Sequence, residues 1–172
     1  MAAAEAALQV YGRGATPLDW ARANALLGTA QAVAGEREGS PEWLEAAISS
    51  YAAAMTVYTR EAAPFDWARM QRNTGAVLSL LGEQGKSQAP LLQAVNCYRA
   101  ALEEYKDGPD HAMTQSNLGH SLRLLGERLN DRERMDYIFT VGCYTLLAMA
   151  FNTFGVQPED TAEGADETNK ER

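Results

Sequence analysis

Apolar residues recur every three or four positions through most of the chain, and glycine and proline interrupt the recurrence at regular intervals. From Pro17 onward the apolar positions are Trp20, Ala23, Leu27, Ala30 and Ala34, a spacing that gathers side chains on one face of an α-helix. Pro17 suits a first helical position and Asp19 places negative charge in the first turn. The pattern predicts a helix over 18–34, closed by Gly35 and Gly39. Ser40-Pro41-Glu42 then reads as a fresh helix start, with Ser as cap and Pro in the first turn. The second helix is expected to run to about Glu61 and to bury Leu44, Ala47, Ile48, Tyr51, Ala54, Met55 and Tyr58. A helix over 65–81, a turn over 82–87 and a helix over 90–106 repeat the arrangement. Gly108-Pro109 breaks the chain, Asp110 starts a helix reaching Leu125, and a last helix is expected over 132–154. A short helix over 2–11, ended by Gly12 and Gly14, precedes them all.

The pattern is an internal repeat. Pro17–Arg37, Pro64–Gln84 and Gly108–Arg128 align without gaps. Asp19, Asp66 and Asp110 coincide, as do Ala21, Ala68 and Ala112. Gly28, Gly75 and Gly119 coincide too, as do Gly35, Gly82 and Gly126. The seven apolar positions of the 41–61 helix return 47 residues later as Leu91, Ala94, Val95, Tyr98, Ala101, Leu102 and Tyr105. Repetition at such a period predicts an array in which hairpins bury their apolar faces against their neighbours. The expected domain is 1–156, with a half repeat at 1–15 and repeats at 17–62, 64–107 and 109–155. Residues 157–172 are acidic and lack large apolar side chains, so disorder is expected there. The glycines at 28, 75 and 119 are expected where a neighbouring helix approaches closely, with the tyrosines filling the space inside each hairpin.

Leu27-Gly28, Leu118-Gly119, Ala47-x3-Tyr51, Ala94-x3-Tyr98 and the prolines at 17, 64 and 109 together resemble the tetratricopeptide repeat (TPR) family. Thr74-Gly75 departs from the Leu-Gly element, and Gly142 stands where the earlier repeats have tyrosine. The period, 47 and then 44 residues, exceeds the usual ~34 of that family. The resemblance covers about residues 1–150. It implies an all-α fold, a right-handed α-solenoid of stacked antiparallel hairpins with about seven helices. It also implies a protein-binding groove lined by the first helix of each repeat.

Mapped onto this chain, the implied groove residues are Arg22, Arg69, Arg72, Asn73, Asn117, His120 and Arg123, with Ala76 and Ser79 at positions of the same kind. None is acidic, although the chain carries a formal net charge of -8. Arginine forks suit carboxylates and asparagine suits peptide backbone, so the expected ligand is an acidic segment of a protein or peptide partner. Glu159–Glu171 is an internal candidate that would fold back on the groove.

Composition narrows the rest. Alanine is frequent and valine and isoleucine are scarce, which favours helix over strand. The negative charge argues against nucleic acid as a partner. The two cysteines, Cys97 and Cys143, lie in apolar helical patterns and read as core residues. His111 and His120 are nine positions apart, which is not a metal-binding pair. No nucleophile motif, metal motif or phosphate loop is present, so neither catalytic residues nor cofactors are expected. No basic n-region opens the chain, and a cytoplasmic, non-enzymatic adaptor is the leading expectation. Residues 137–156 carry no charged side chain. A closing helix of the array is the first reading there, ahead of a self-associating face that would make a homo-oligomer, and a membrane contact comes last.

Overall fold

A computed structural model describes residues 1–129. Among them there are six helices and no strand: α1 (Ala2–Val10), α2 (Pro17–Glu38), α3 (Pro41–Met55), α4 (Pro64–Gln84), α5 (Ala89–Glu104) and α6 (Gly108–Arg128). Met1–Arg128 form one compact unit in which each helix packs on the next. α4 also touches both α2 and α6. The helix expected over 132–154, the 137–156 face and the acidic tail lie outside the described residues.

Several helix ends differ from expectation, among them that of α6, which runs past Leu125 to Arg128. α2 continues four residues past Ala34 and stops at Gly39, which adopts a left-handed φ of 64° and donates to the Gly35 carbonyl. Ser40 follows immediately; its hydroxyl accepts from the Trp43 amide at 3.4 Å and opens α3. α4 likewise runs through Gly82 to Gln84, so the expected turn at Gly82 is helix. α3 ends at Met55 rather than near Glu61. The chain there reads Thr56-Val57-Tyr58-Thr59, residues that lose rotamer freedom in a helix. Thr56 also turns its hydroxyl back onto the Ala53 carbonyl at 2.7 Å.

Gly35 and Gly82 do not end their helices; they admit the next one. A Cβ on Gly35 would lie 2.7 Å from Leu44 Cδ2, and one on Gly82 would lie 2.5 Å from Leu91 Cδ2. Two turns earlier, a Cβ on Gly28 would meet the Tyr51 ring at 2.8 Å and one on Gly75 the Tyr98 ring at 2.9 Å. As residue number rises along α2 it falls along α3, so each pair of helices is antiparallel. For Gly119 and Gly126 the partner expected from the repeat lies outside the described residues.

The predicted core positions are buried. Leu44, Ala47, Tyr51, Ala54 and Tyr58 are at most 5% exposed, and Leu91, Ala94, Val95, Tyr98, Ala101 and Tyr105 at most 6%. Ile48, Met55 and Leu102 are half-buried. The hydroxyl of Tyr51 donates to Thr29 Oγ1 at 3.2 Å, so the ring fills the hairpin while its polar end stays partnered.

Truncating Tyr98 to alanine should cost about 3–5 kcal/mol, read as a loss of urea-denaturation stability. Gly82→Ala should also destabilise, whereas Gly12→Ala, where an added Cβ meets nothing within 4 Å, should not. Equal stability of the two glycine variants would refute the close-approach reading. Thr74, in the position of Leu27 and Leu118, is 7% exposed and its hydroxyl has no hydrogen-bond partner among the described residues. An unpartnered buried hydroxyl costs about 1–3 kcal/mol. Thr74→Val keeps the shape and removes that cost, so it should raise the melting temperature by a few degrees; a lower value would show that the hydroxyl is satisfied.

Candidate functional site

α2, α4 and α6 are the first helices of the three repeats, and α4 lies in contact with the other two. Where α4 meets α6, Ser79 Oγ and Ser121 Oγ are 2.6 Å apart and both residues are buried. One hydroxyl donates to the other; Ser79 Oγ also lies 3.1 Å from the Gly75 carbonyl and Ser121 Oγ 3.1 Å from that of Asn117. Burial raises the Tyr98 phenol above its ordinary range, and hydrogen bonding to Ser79 and Ser121 opposes the shift. Tyr98 therefore packs inside its own hairpin and reaches the α4–α6 contact with its polar end.

The seven expected site residues separate into two groups. Arg22, Arg69 and Arg72 lie in the first half of their helices. Arg22 pairs with Asp19 at 3.6 Å and Arg69 with Asp66 at 2.6 Å, the same i, i+3 pair in successive repeats. Arg72 pairs with Asp110 of α6 and lies 6.0 Å from the Tyr105 ring centroid. Only 15% of its side chain is exposed. Asn73 faces the Tyr51 phenol, whose upward shift by burial it opposes together with Thr29.

Asn117, His120 and Arg123 form the second group, in the middle of α6. His120 Nε2 lies 2.6 Å from Glu83 Oε1, and Arg123 Nη1 lies 2.6 Å from Glu127 Oε1. Arg123 Nη2 is also 3.4 Å from His120 Nδ1. The sequence places no acid among the expected groove residues, but the structure brings Asp19, Asp66, Asp110, Glu83 and Glu127 against them. Each of the four arginines faces a carboxylate of its own chain.

Asn117 and His120 line a cavity of about 240 Å³ with Ala76, Ser79, Leu80, Tyr98, Glu83 and Glu36. Glu36 comes from α2, Glu83 from α4, and Glu127 from α6 occupies the same repeat position. Sequence reading passed over this set. Its signal is plain in retrospect: each residue immediately follows the second glycine of its repeat, at Gly35, Gly82 and Gly126.

Two other contacts were also unforeseen. Arg128 Nη1 donates to the carbonyls of Gly85 at 2.9 Å and Ser87 at 3.3 Å, and Gln88 Nε2 donates back to the Arg128 carbonyl at 3.2 Å. The end of α6 thus clamps the α4–α5 connection, where a cation also suits the helix C-terminus. Arg13 lies 5.7 Å from the Trp20 ring centroid, and Arg60, 47 residues later, lies 5.3 Å from that of Trp67.

Among the described residues no group of three or more His, Cys, Asp or Glu is placed to hold a metal. No described helix is long and apolar enough to cross a membrane. Comparison with family models, with curated proteins and with solved structures gives no match.

Cys97 packs against the cluster of Leu78, Ala94 and Tyr98. Burial pushes its thiol up to about 11. The fold favours the neutral thiol, so this contribution to stability is complete at neutral pH and is lost as pH rises toward that value. In a Cys143→Ser background, Cys97 should react with a disulfide reagent at pH 8 far more slowly than free cysteine, and denaturant should abolish the difference. Fast modification of the native protein would contradict the burial.

Proposed function

We propose that this chain is a protein-interaction module of TPR-like type, a right-handed α-solenoid with no catalytic activity of its own, acting in the cytoplasm. It holds an extended peptide, or an extended segment of a partner protein, across α2, α4 and α6. The supporting observation is the cavity where these first helices adjoin, lined by both polar and apolar side chains. At about 240 Å³ it falls below the ~300–1,000 Å³ of drug-sized ligand sites, a size suited to a single side chain. The net charge of -8 continues to argue against nucleic acid. An acidic segment, the ligand suggested by Arg22, Arg69, Arg72 and Arg123 alone, would have to displace Asp19, Asp66, Asp110 and Glu127.

A second reading, a self-associating structural module, draws on a different surface. Leu18, Leu26 and Val33 are 61%, 60% and 59% exposed along α2. Two of their counterparts one repeat later, Asn73 and Leu80, are half-buried. The third counterpart, Phe65, is 68% exposed, so the two helices differ at Leu26 and Val33, and the open apolar side chains there favour association.

Two measurements decide between these readings. A random octapeptide display library should yield binders whose addition shifts backbone amide resonances of α2, α4 and α6 more than those of α3 and α5. Binders that perturb only α3 and α5 would overturn the groove reading. Light scattering across a concentration series should give a monomer mass if the peptide reading holds. A dimer mass that Leu26→Asp with Val33→Asp converts to monomer would establish the second.

A further inference from the structure

We propose that the cavity bounded by Glu36, Glu83, Asn117 and His120 receives the cationic end of a lysine or arginine side chain from an extended basic peptide. This rests on the groove reading above and specifies the chemistry of its ligand.

The cavity has the two parts that such a side chain requires. Leu80 and Ala76, both half-buried, supply apolar surface for an aliphatic stem, which long basic side chains bury readily while their charged ends stay with polar groups. Carboxylates supply the other part. Glu83 gives one oxygen to His120 at 2.6 Å and keeps the second for a ligand. Glu36 makes no ion pair among the described residues. Asn117 also lines the cavity, and its side-chain amide can accept a hydrogen bond.

The repeat extends the argument beyond one pocket. Glu36, Glu83 and Glu127 occupy one repeat position on α2, α4 and α6, separated by 47 and 44 residues. Glu127 is already paired with Arg123, so a peptide crossing these helices meets Glu36 of α2 and the second oxygen of Glu83 of α4. Arg22, Arg69, Arg72 and Arg123 offer no matching set of free cations, because each already faces an acid in its own chain. The chain's net charge of -8 adds long-range attraction for a basic ligand.

The octapeptide library, selected against the full chain, tests this directly. Binders should be enriched in lysine or arginine at one position. Their affinity should fall about tenfold or more in a Glu36→Gln, Glu83→Gln double variant, and should weaken with added salt. His120→Ala, which frees Glu83, should strengthen the same peptides severalfold. Unchanged melting temperatures would show that these surface substitutions leave the fold intact. Enrichment of acidic peptides that bind α2, α4 and α6 would overturn this inference and leave the groove reading standing. Basic binders indifferent to the double variant would place the cation elsewhere and also overturn it. A library that yields no binder would remove both readings together.

Discussion

The structure depends on two places in each hairpin where a helix meets its partner with no side chain between them. Gly28 and Gly35 admit Tyr51 and Leu44; Gly75 and Gly82 admit Tyr98 and Leu91. The gaps that a Cβ would need are already filled by ring and branched-chain carbons. Because interiors are packed at crystal-like density, two such contacts two turns apart fix both the approach and the register of the pair. The outer faces of α2 and α4 are positioned by that register. The tyrosine does double duty, since its ring closes the hairpin and its hydroxyl meets polar groups at the contact with the next first helix.

Charge is distributed on top of this frame and contributes little to holding it together. Exposed i, i+3 pairs such as Arg22–Asp19 and Arg69–Asp66 are worth about 0.2–0.5 kcal/mol each. Arg72 is different, because it is largely covered, pairs across to α6 and lies by Tyr105. Arg128 is different again: it partners backbone carbonyls that the α4–α5 connection leaves open. Residues that look like free cations when read one by one are, in the folded chain, arginines that each face an acid of their own chain.

Two repeat positions illustrate what neighbours do. α4 touches α2, α3, α5 and α6, and Leu80 is half-buried against the cluster that holds Ala21, Ala25 and Leu44. Among the described residues α2 touches α1, α3 and α4, and Val33 in the equivalent place is open to solvent. Equivalent repeat positions such as Val33 and Leu80 therefore differ in burial according to what packs against them, whereas Leu18 and Phe65 are both exposed.

The sequence by itself determined where the helices lie, how often the pattern returns and which residues form the core. Leu44, Tyr51, Leu91 and Tyr98 are buried as their three-and-four spacing requires, since periodicity along one helix is a local property that a single segment expresses. Ser40-Pro41 announced the start of α3 for the same reason. Only the tertiary structure decided that Gly35 and Gly82 sit inside helices, because a glycine that ends a helix and one that admits a neighbour look alike in isolation. It alone set Asp110 against Arg72 and Glu83 against His120, and brought Glu36 to the cavity that Glu83 and His120 also line. Those partners are 37 to 84 positions apart, and their meeting is fixed by how hairpins stack, which no window of local pattern contains.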